Sequence, residues 1–267
     1  MISRFLFFFL KYGIIGKMFI KKDENNMAKK EKEFKIPSRR QPFYKPFRVI
    51  VMRLIFRKPK IINLAGDIED KSIILANHSA KSGPPCLDLY FPKKTCKWGA
   101  YEMFGNYKMR RAYLKDILYI KKCGAKPFKA SIMATILAAF NQFVYKGMWM
   151  MPSYPDMRLT HTLRNSAMVL NENIPVMIFP ENSNEGYKDV LTEFFPGFYM
   201  LSEKYYRDYG IDLPIYPVYY SIKKRIMVIG KPLYLQDYVS KGMKRDEICK
   251  VYCDAVNSLY FEYVENK

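Results

Sequence analysis

The stretch Lys71-Ser72-Ile73-Ile74-Leu75-Ala76-Asn77-His78 decides how this chain is to be read. Its apolar run is a short buried strand, and it delivers a polar pair, Asn77-His78, at its C-terminal end. Small and polar residues follow, Ser79-Ala80-Lys81-Ser82, and then Gly83-Pro84-Pro85, which breaks the chain before Cys86–Phe91. A second strand of the same kind, Val176-Met177-Ile178-Phe179, ends at Pro180-Glu181. A helix over about Arg158–Leu170 precedes it. A helix through Asp189–Tyr209, disturbed at Pro196-Gly197, follows it. Strands at Ile215–Tyr219 and Arg225–Ile229 come next. A last helix, about Lys244–Val264, sets Ile248, Val251, Ala255 and Leu259 on one face. Strands alternating with helices predict an α/β fold, a mixed and partly parallel sheet flanked by helices, with functional groups at strand C-termini.

The 267 residues suit one α/β domain with appendages. Residues 1–60 hold 17 Lys or Arg against 4 Asp or Glu, so this part carries +13 of the formal +20. A basic arm on a moderately basic body attracts a polyanion, either nucleic acid or the anionic leaflet of a membrane. In Phe43–Lys60 the apolar Phe43, Phe47, Ile50, Val51, Leu54 and Ile55 recur near helical spacing among Lys45, Arg48, Arg53, Arg57 and Lys58. That is the pattern of an interfacial amphipathic helix, and equally of an ordinary helix packed on the domain with a solvated basic face. No RRM, KH or zinc pattern accompanies the basic arm, so no nucleic acid is expected as a partner. The division expected is a membrane-associating arm over 1–58 and a domain over 59–267.

Phe5–Leu10 is an apolar burst too short and interrupted for a membrane span of about 20 residues. Met27 is an alternative start, because the codons for Lys21-Lys22-Asp23 can contain AAGGA, a run resembling a ribosome-binding site. Residues 1–26 would then not be translated. The apolar block Pro127–Met151 reads as a helical insertion, a helix or helical hairpin that packs on the domain or lines an acyl-chain surface. Cys86, Cys96, Cys123, Cys249 and Cys253 form no CxxC pair and are expected as thiols in a reducing compartment, with no metal site.

Two imidazoles serve the whole chain. His161 lies in a polar helical start and reads as a surface or capping residue. His78, presented at a strand end, is placed either to take a proton from a hydroxyl or to serve structure alone. Pro180 fixes the backbone as the second strand leaves the sheet. Glu181 then projects where it could orient an acceptor or stabilise the turn.

Taken in order, these pieces resemble the glycerolipid acyltransferases, the PlsC-like or lysophosphatidate-acyltransferase family. Asn77-His78 is similar to the first motif and Phe179-Pro180-Glu181 to the start of its Phe-Pro-Glu-Gly motif. Phe195-Pro196-Gly197 and Leu213-Pro214-Ile215-Tyr216-Pro217-Val218 resemble two later blocks. The resemblance covers about Ile73–Pro232 and departs from the family at definite points. The aspartate expected five positions after the histidine is Gly83 here. Asp88 could fold back to substitute for it, or Ser82 or a backbone carbonyl could orient the ring instead. Asn182-Ser183-Asn184 replaces Gly-Thr-Arg, and Arg158 is the guanidinium nearest the place of the second motif.

The resemblance implies O-acyl transfer from acyl-CoA or acyl-carrier protein, as co-substrate, to a hydroxyl of a glycerolipid-like acceptor. This is bacterial phospholipid biosynthesis at the cytoplasmic face of the cell membrane, carried out by a peripheral or monotopic protein without a cofactor. In it His78, Glu181 and Asp88 are catalytic, and Asn77, Arg158, Pro180, Asn182 and Ser183 bind substrate. The alternative is the same fold with chemistry weakened or lost and lipid binding kept.

Overall fold

In the computed structural model the described residues are 34–38, 41–79, 83–183 and 186–265. The chain divides into two units, Met1–Lys35 and Ile36–Lys267. The architecture below belongs to the second. Phe5–Leu10, the start at Met27, Ser82 and Asn184 lie outside the described residues.

Eight strands form one mixed sheet. In chain order they are β1 (Lys60–Asn63), β2 (Ile73–Ala76), β3 (Cys96–Ala100), β4 (Met150–Ser153), β5 (Val176–Ile178), β6 (Pro214–Ser221), β7 (Ile226–Ile229) and β8 (Leu233–Tyr234). Their spatial order is β1-β7-β6-β2-β5-β3-β4, with β8 added beside β6. From β6 through β2, β5 and β3 to β4 all pairings are parallel, whereas β6 meets β7 and β8 antiparallel. Buried on both faces, β2, β5 and β7 are continuous apolar runs, as parallel central strands must be. Pro217 sits inside β6 without breaking it. It falls between Ile215, paired with β8, and Val218, paired with β7, and its carbonyl still accepts from the Gly230 N–H at 2.8 Å.

The helices used below are α1 (Gly83–Tyr90), α2 (Tyr107–Ala112), α3 (Pro127–Gly147), α4 (Leu159–Asn171), α5 (Gly197–Tyr209) and α6 (Arg245–Tyr260). Before β1 a helical stretch runs through Tyr44–Phe47, a wider π-helical Arg48–Met52, and Arg53–Ile55. This arm helix buries Tyr44 and Met52 against Leu89, Met148 and Met150. A Cβ on Gly147 would stand 2.1 Å from the Tyr44 ring, so only glycine lets the arm helix seat there. Phe43, Val49, Ile50 and Ile55 remain exposed.

Two local readings are corrected. Gly83-Pro84-Pro85 opens a helix rather than breaking the chain, since proline suits a first turn, where its N–H is not needed. The helix expected from Asp189 begins only at Gly197, because Pro196 disfavours helical backbone at Phe195. Residues 189–196 instead run extended, clamped by Asn257 at both polar groups of Leu191. Of the two forms expected for the block after Pro127, the chain takes the single helix, which ends before β4. β3 escapes sequence reading because Lys97, a residue type of surfaces, lies at its centre at 1% exposure.

In α3 the usual amphipathic arrangement is inverted. Ala130, Ala134, Ala138 and Asn141 face inward and let the helix lie close on the segment Tyr113–Lys122. The large apolar residues face out, with Phe128 80%, Ile136 59% and Phe140 64% exposed. No described helix is long and apolar enough to cross a membrane.

Candidate active site

Parallel pairing of β2 with β5, from Ile73 with Val176 to Leu75 with Ile178, makes the two strands leave the sheet side by side. His78 and Glu181 therefore meet. The His78 backbone N–H donates to Glu181 Oε2 at 2.9 Å. The other side of the turn is held by Asn77, whose amide donates to the Tyr220 carbonyl at 3.0 Å and accepts from the Tyr220 N–H at 2.7 Å. Ser79 takes a left-handed φ of 41° and accepts from the Ile222 N–H through its hydroxyl. Three strands thus fix the backbone that carries the imidazole. The half-buried ring stacks on Tyr187, centroids 4.9 Å apart, and meets the edge of Phe179 at 5.2 Å.

Lys122, at the end of the helical stretch before α3, enters the same place. Its Nζ donates to Ser183 Oγ at 2.7 Å and lies 5.6 Å from the centre of the Tyr187 ring. Burial pushes the Glu181 carboxyl up, against the pull of the His78 N–H and of Lys122. Burial pushes the Lys122 ammonium down, and Glu181 opposes it. A cation of lowered hydration beside a strand-end histidine suits an anionic group on a ligand. Nothing in the sequence distinguished Lys122 from the other 44 Lys and Arg residues, or Tyr187 from the other tyrosines.

The remaining expected residues are placed as follows. Asn77 is buried, and both ends of its amide bond Tyr220, which holds the turn. Pro180 is buried and its carbonyl accepts from the Phe195 N–H. Asn182 is tied by backbone and side chain to Glu193. Arg158 is at the same sheet edge but beyond β4, three strand positions or roughly 14 Å from β2. Its guanidinium lies beside the stacked rings of Tyr101 and Tyr154, within 4.7 Å of each centre, and bonds both Asp156 oxygens.

Asp88 is not beside His78. Its Oδ1 accepts from Lys94 at 2.7 Å and Lys97 at 3.0 Å, and its Oδ2 accepts from Tyr44 at 3.2 Å and Arg48 at 3.1 Å. Helix α1 starts at Gly83 and carries Asp88 away from the turn, toward the opposite edge of the sheet. Gly83 itself packs on the His78 carbonyl, where a Cβ would come within 2.0 Å of the oxygen. The position that holds an aspartate in the family pattern is closed to a side chain here. Among the described residues no group of three or more His, Cys, Asp or Glu could hold a metal ion.

Fold and site together define an open, mixed α/β protein with a histidine and a carboxylate on neighbouring parallel strand ends. No family model and no curated protein matches the chain. Among solved structures it is similar to the crystal structure of the 1-acyl-sn-glycerophosphate (LPA) acyltransferase PlsC from Thermotoga maritima. The identity is 13%, over 84% of this chain and 85% of that one, with a TM-score of 0.44. So distant a likeness carries no weight for activity, which must be read from the residues.

Proposed function

We propose that the protein moves an acyl group from a thioester, acyl-CoA or acyl-carrier protein, to a hydroxyl of a glycerolipid-like acceptor such as lysophosphatidate. The observation that carries this reading is the His78 imidazole, held at the end of β2 through the Glu181 bond to its own N–H, with Lys122 alongside. His78 takes the proton of the acceptor hydroxyl as its oxygen attacks the thioester carbonyl. The tetrahedral oxyanion collapses, the C–S bond breaks, and the proton passes to the departing thiolate. Lys122 meets a phosphate or the oxyanion. Glu181 acts on the backbone of His78 and is a positioning residue.

A reaction at the membrane surface is favoured by the large apolar residues exposed on α3 and the arm helix. We place the protein peripherally on the cytoplasmic face of the cell membrane. The inert, lipid-binding reading is favoured by one observation, the closure of position 83 to any carboxylate that could orient the ring.

The test is mass spectrometry of products from the purified chain with mixed lyso-lipid acceptors and either acyl donor. Acylated product that disappears with His78→Ala supports transfer. Lyso-lipid binding without product, in wild type and variant alike, would establish the inert reading.

A further inference from the structure

The N-terminal ends of the parallel strands, opposite His78, border a second feature. A cavity of about 650 Å³ opens there, lined by Lys45 and Arg48 of the arm helix, Lys93 and Lys94 before β3, and Trp149 before β4. Asp70 and Glu172 also line it, and Lys97 and Asp88 stand directly behind, so five cations meet three carboxylates. Two of those carboxylates are already engaged, and Glu172 makes no ion pair among the described residues. Asp88 is shared among Arg48, Lys94 and Lys97, and Asp70 pairs with Lys93. Lys45 makes no ion pair among the described residues. Three cations gathered on one buried carboxylate are costly unless a further anion neutralises them. Burial and the neighbouring Lys97 push the Lys94 ammonium down to about 8, against the pull of Asp88.

Trp149 adds a second and independent observation. It holds a left-handed φ of 56°, a conformation a bulky residue keeps only when its surroundings enforce it. Its indole N–H is buried with no acceptor among the described residues. The ring lines the cavity and carries the Lys94 ammonium 5.4 Å from its centre, so an occupant that draws on Lys94 should register in its emission. Phe43, 81% exposed, lies in sequence between Gln41 and Lys45, both on the cavity wall, so apolar surface adjoins the cationic mouth.

We propose that this cavity binds a phosphate monoester, with Lys45 and Lys93 at the mouth, Arg48 and Lys94 deeper, and the Trp149 ring on the wall. Three clustered ammonium groups, with the charge of Arg48 behind them, match the charge and the several acceptor oxygens of a phosphate. The site stands at the far edge of the sheet from His78 and does not depend on acyl transfer. A lipid headgroup and a soluble phosphate ester share this chemistry.

The full chain should be titrated with glycerol 3-phosphate at matched ionic strength, followed by tryptophan emission and melting temperature. In parallel it should be sedimented with phosphatidylcholine vesicles containing phosphatidate or, at equal surface charge, phosphatidylglycerol. The variants are Lys45→Gln, at an exposed position without an ion-pair partner, and Lys45→Gln with Lys93→Gln; neither lysine touches Asp88. Binding of glycerol 3-phosphate that the double variant weakens about tenfold or more supports the site. Preference for phosphatidate vesicles, lost in the same variant, assigns the phosphate to a lipid headgroup. Response to the soluble ester alone assigns it to a soluble ligand. Equal binding to both anionic lipids, which the basic arm by itself predicts, beside a response to the soluble ester likewise assigns a soluble ligand. Absence of any response to the ester or to phosphatidate over phosphatidylglycerol at matched ionic strength, or undiminished phosphate binding in the double variant, overturns the proposal.

Discussion

At the scale of single residues, Asp88 shows how neighbours, not residue type, decide a role. Burial alone pushes its carboxyl up, yet Lys97 and Lys94 more than offset this and hold it well below the usual carboxylate range. Since the folded value lies below the unfolded one, the stabilisation is complete above about pH 4 and is lost as pH falls through the folded value. Asp88→Asn should therefore cost about 3–5 kcal/mol in denaturant titrations near neutrality, by leaving Arg48, Lys94 and Lys97 uncompensated. The variant should also lack the acid-side fall in stability that the wild type has. A variant as stable as wild type, or one with lost turnover but intact folding, would return Asp88 to the catalytic account. Gly83→Asp restores the spacing of the acyltransferase pattern but drives a Cβ into the His78 carbonyl. It should lose about 3 kcal/mol, the upper range for overpacking, and gain no activity.

At the scale of elements, α3 is the unusual part. Its alanine face is what lets a 21-residue helix lie flat on its neighbours, and that arrangement turns Phe128, Ile136 and Phe140 toward solvent. Large apolar residues on the outer face contribute little to folding and are available to a lipid surface. Replacing Phe128, Ile136 and Phe140 together with serine should leave the melting temperature within about 2 °C while reducing vesicle sedimentation several-fold. A large fall in stability would mean that this face packs in the folded protein instead. The helix was legible in sequence as an apolar block; which of its faces is inside was not, because alanines and phenylalanines both score as apolar. Inward and outward sides are decided by the closeness of the Tyr113–Lys122 segment, which admits only small residues.

At the scale of the whole molecule, the arm read from charge alone divides differently in structure. Tyr44 and Arg48 hold Asp88 from above, and Tyr44 lies on Gly147, so the arm helix packs within the second unit. Deleting residues 1–35 should leave stability unchanged and weaken binding to anionic vesicles in a salt-dependent way, since it removes nine cations and four carboxylates. Deleting residues 1–58 should destabilise the remainder by several kcal/mol, because it takes both Tyr44 and Arg48 from the buried carboxylate. Equal melting temperatures for the two truncations would show that the arm helix is dispensable to the fold.

Continuous apolar runs bounded by turns made β2, β5, β6 and β7 readable, and with them the mixed α/β class and the placing of His78 and Glu181 at strand ends, because burial on both faces demands that composition. Strand order and the partners of charged groups were beyond it. Pairing β2 with β5 joins residues 103 positions apart, and nothing local in either segment encodes the bond from the His78 N–H to Glu181. Lys122 beside His78, Lys97 inside β3 and the diversion of Asp88 to the opposite edge depend on which elements fold against one another. A charged side chain reads the same in sequence whether solvent or a buried counter-ion receives it, so only the tertiary structure could place these charges.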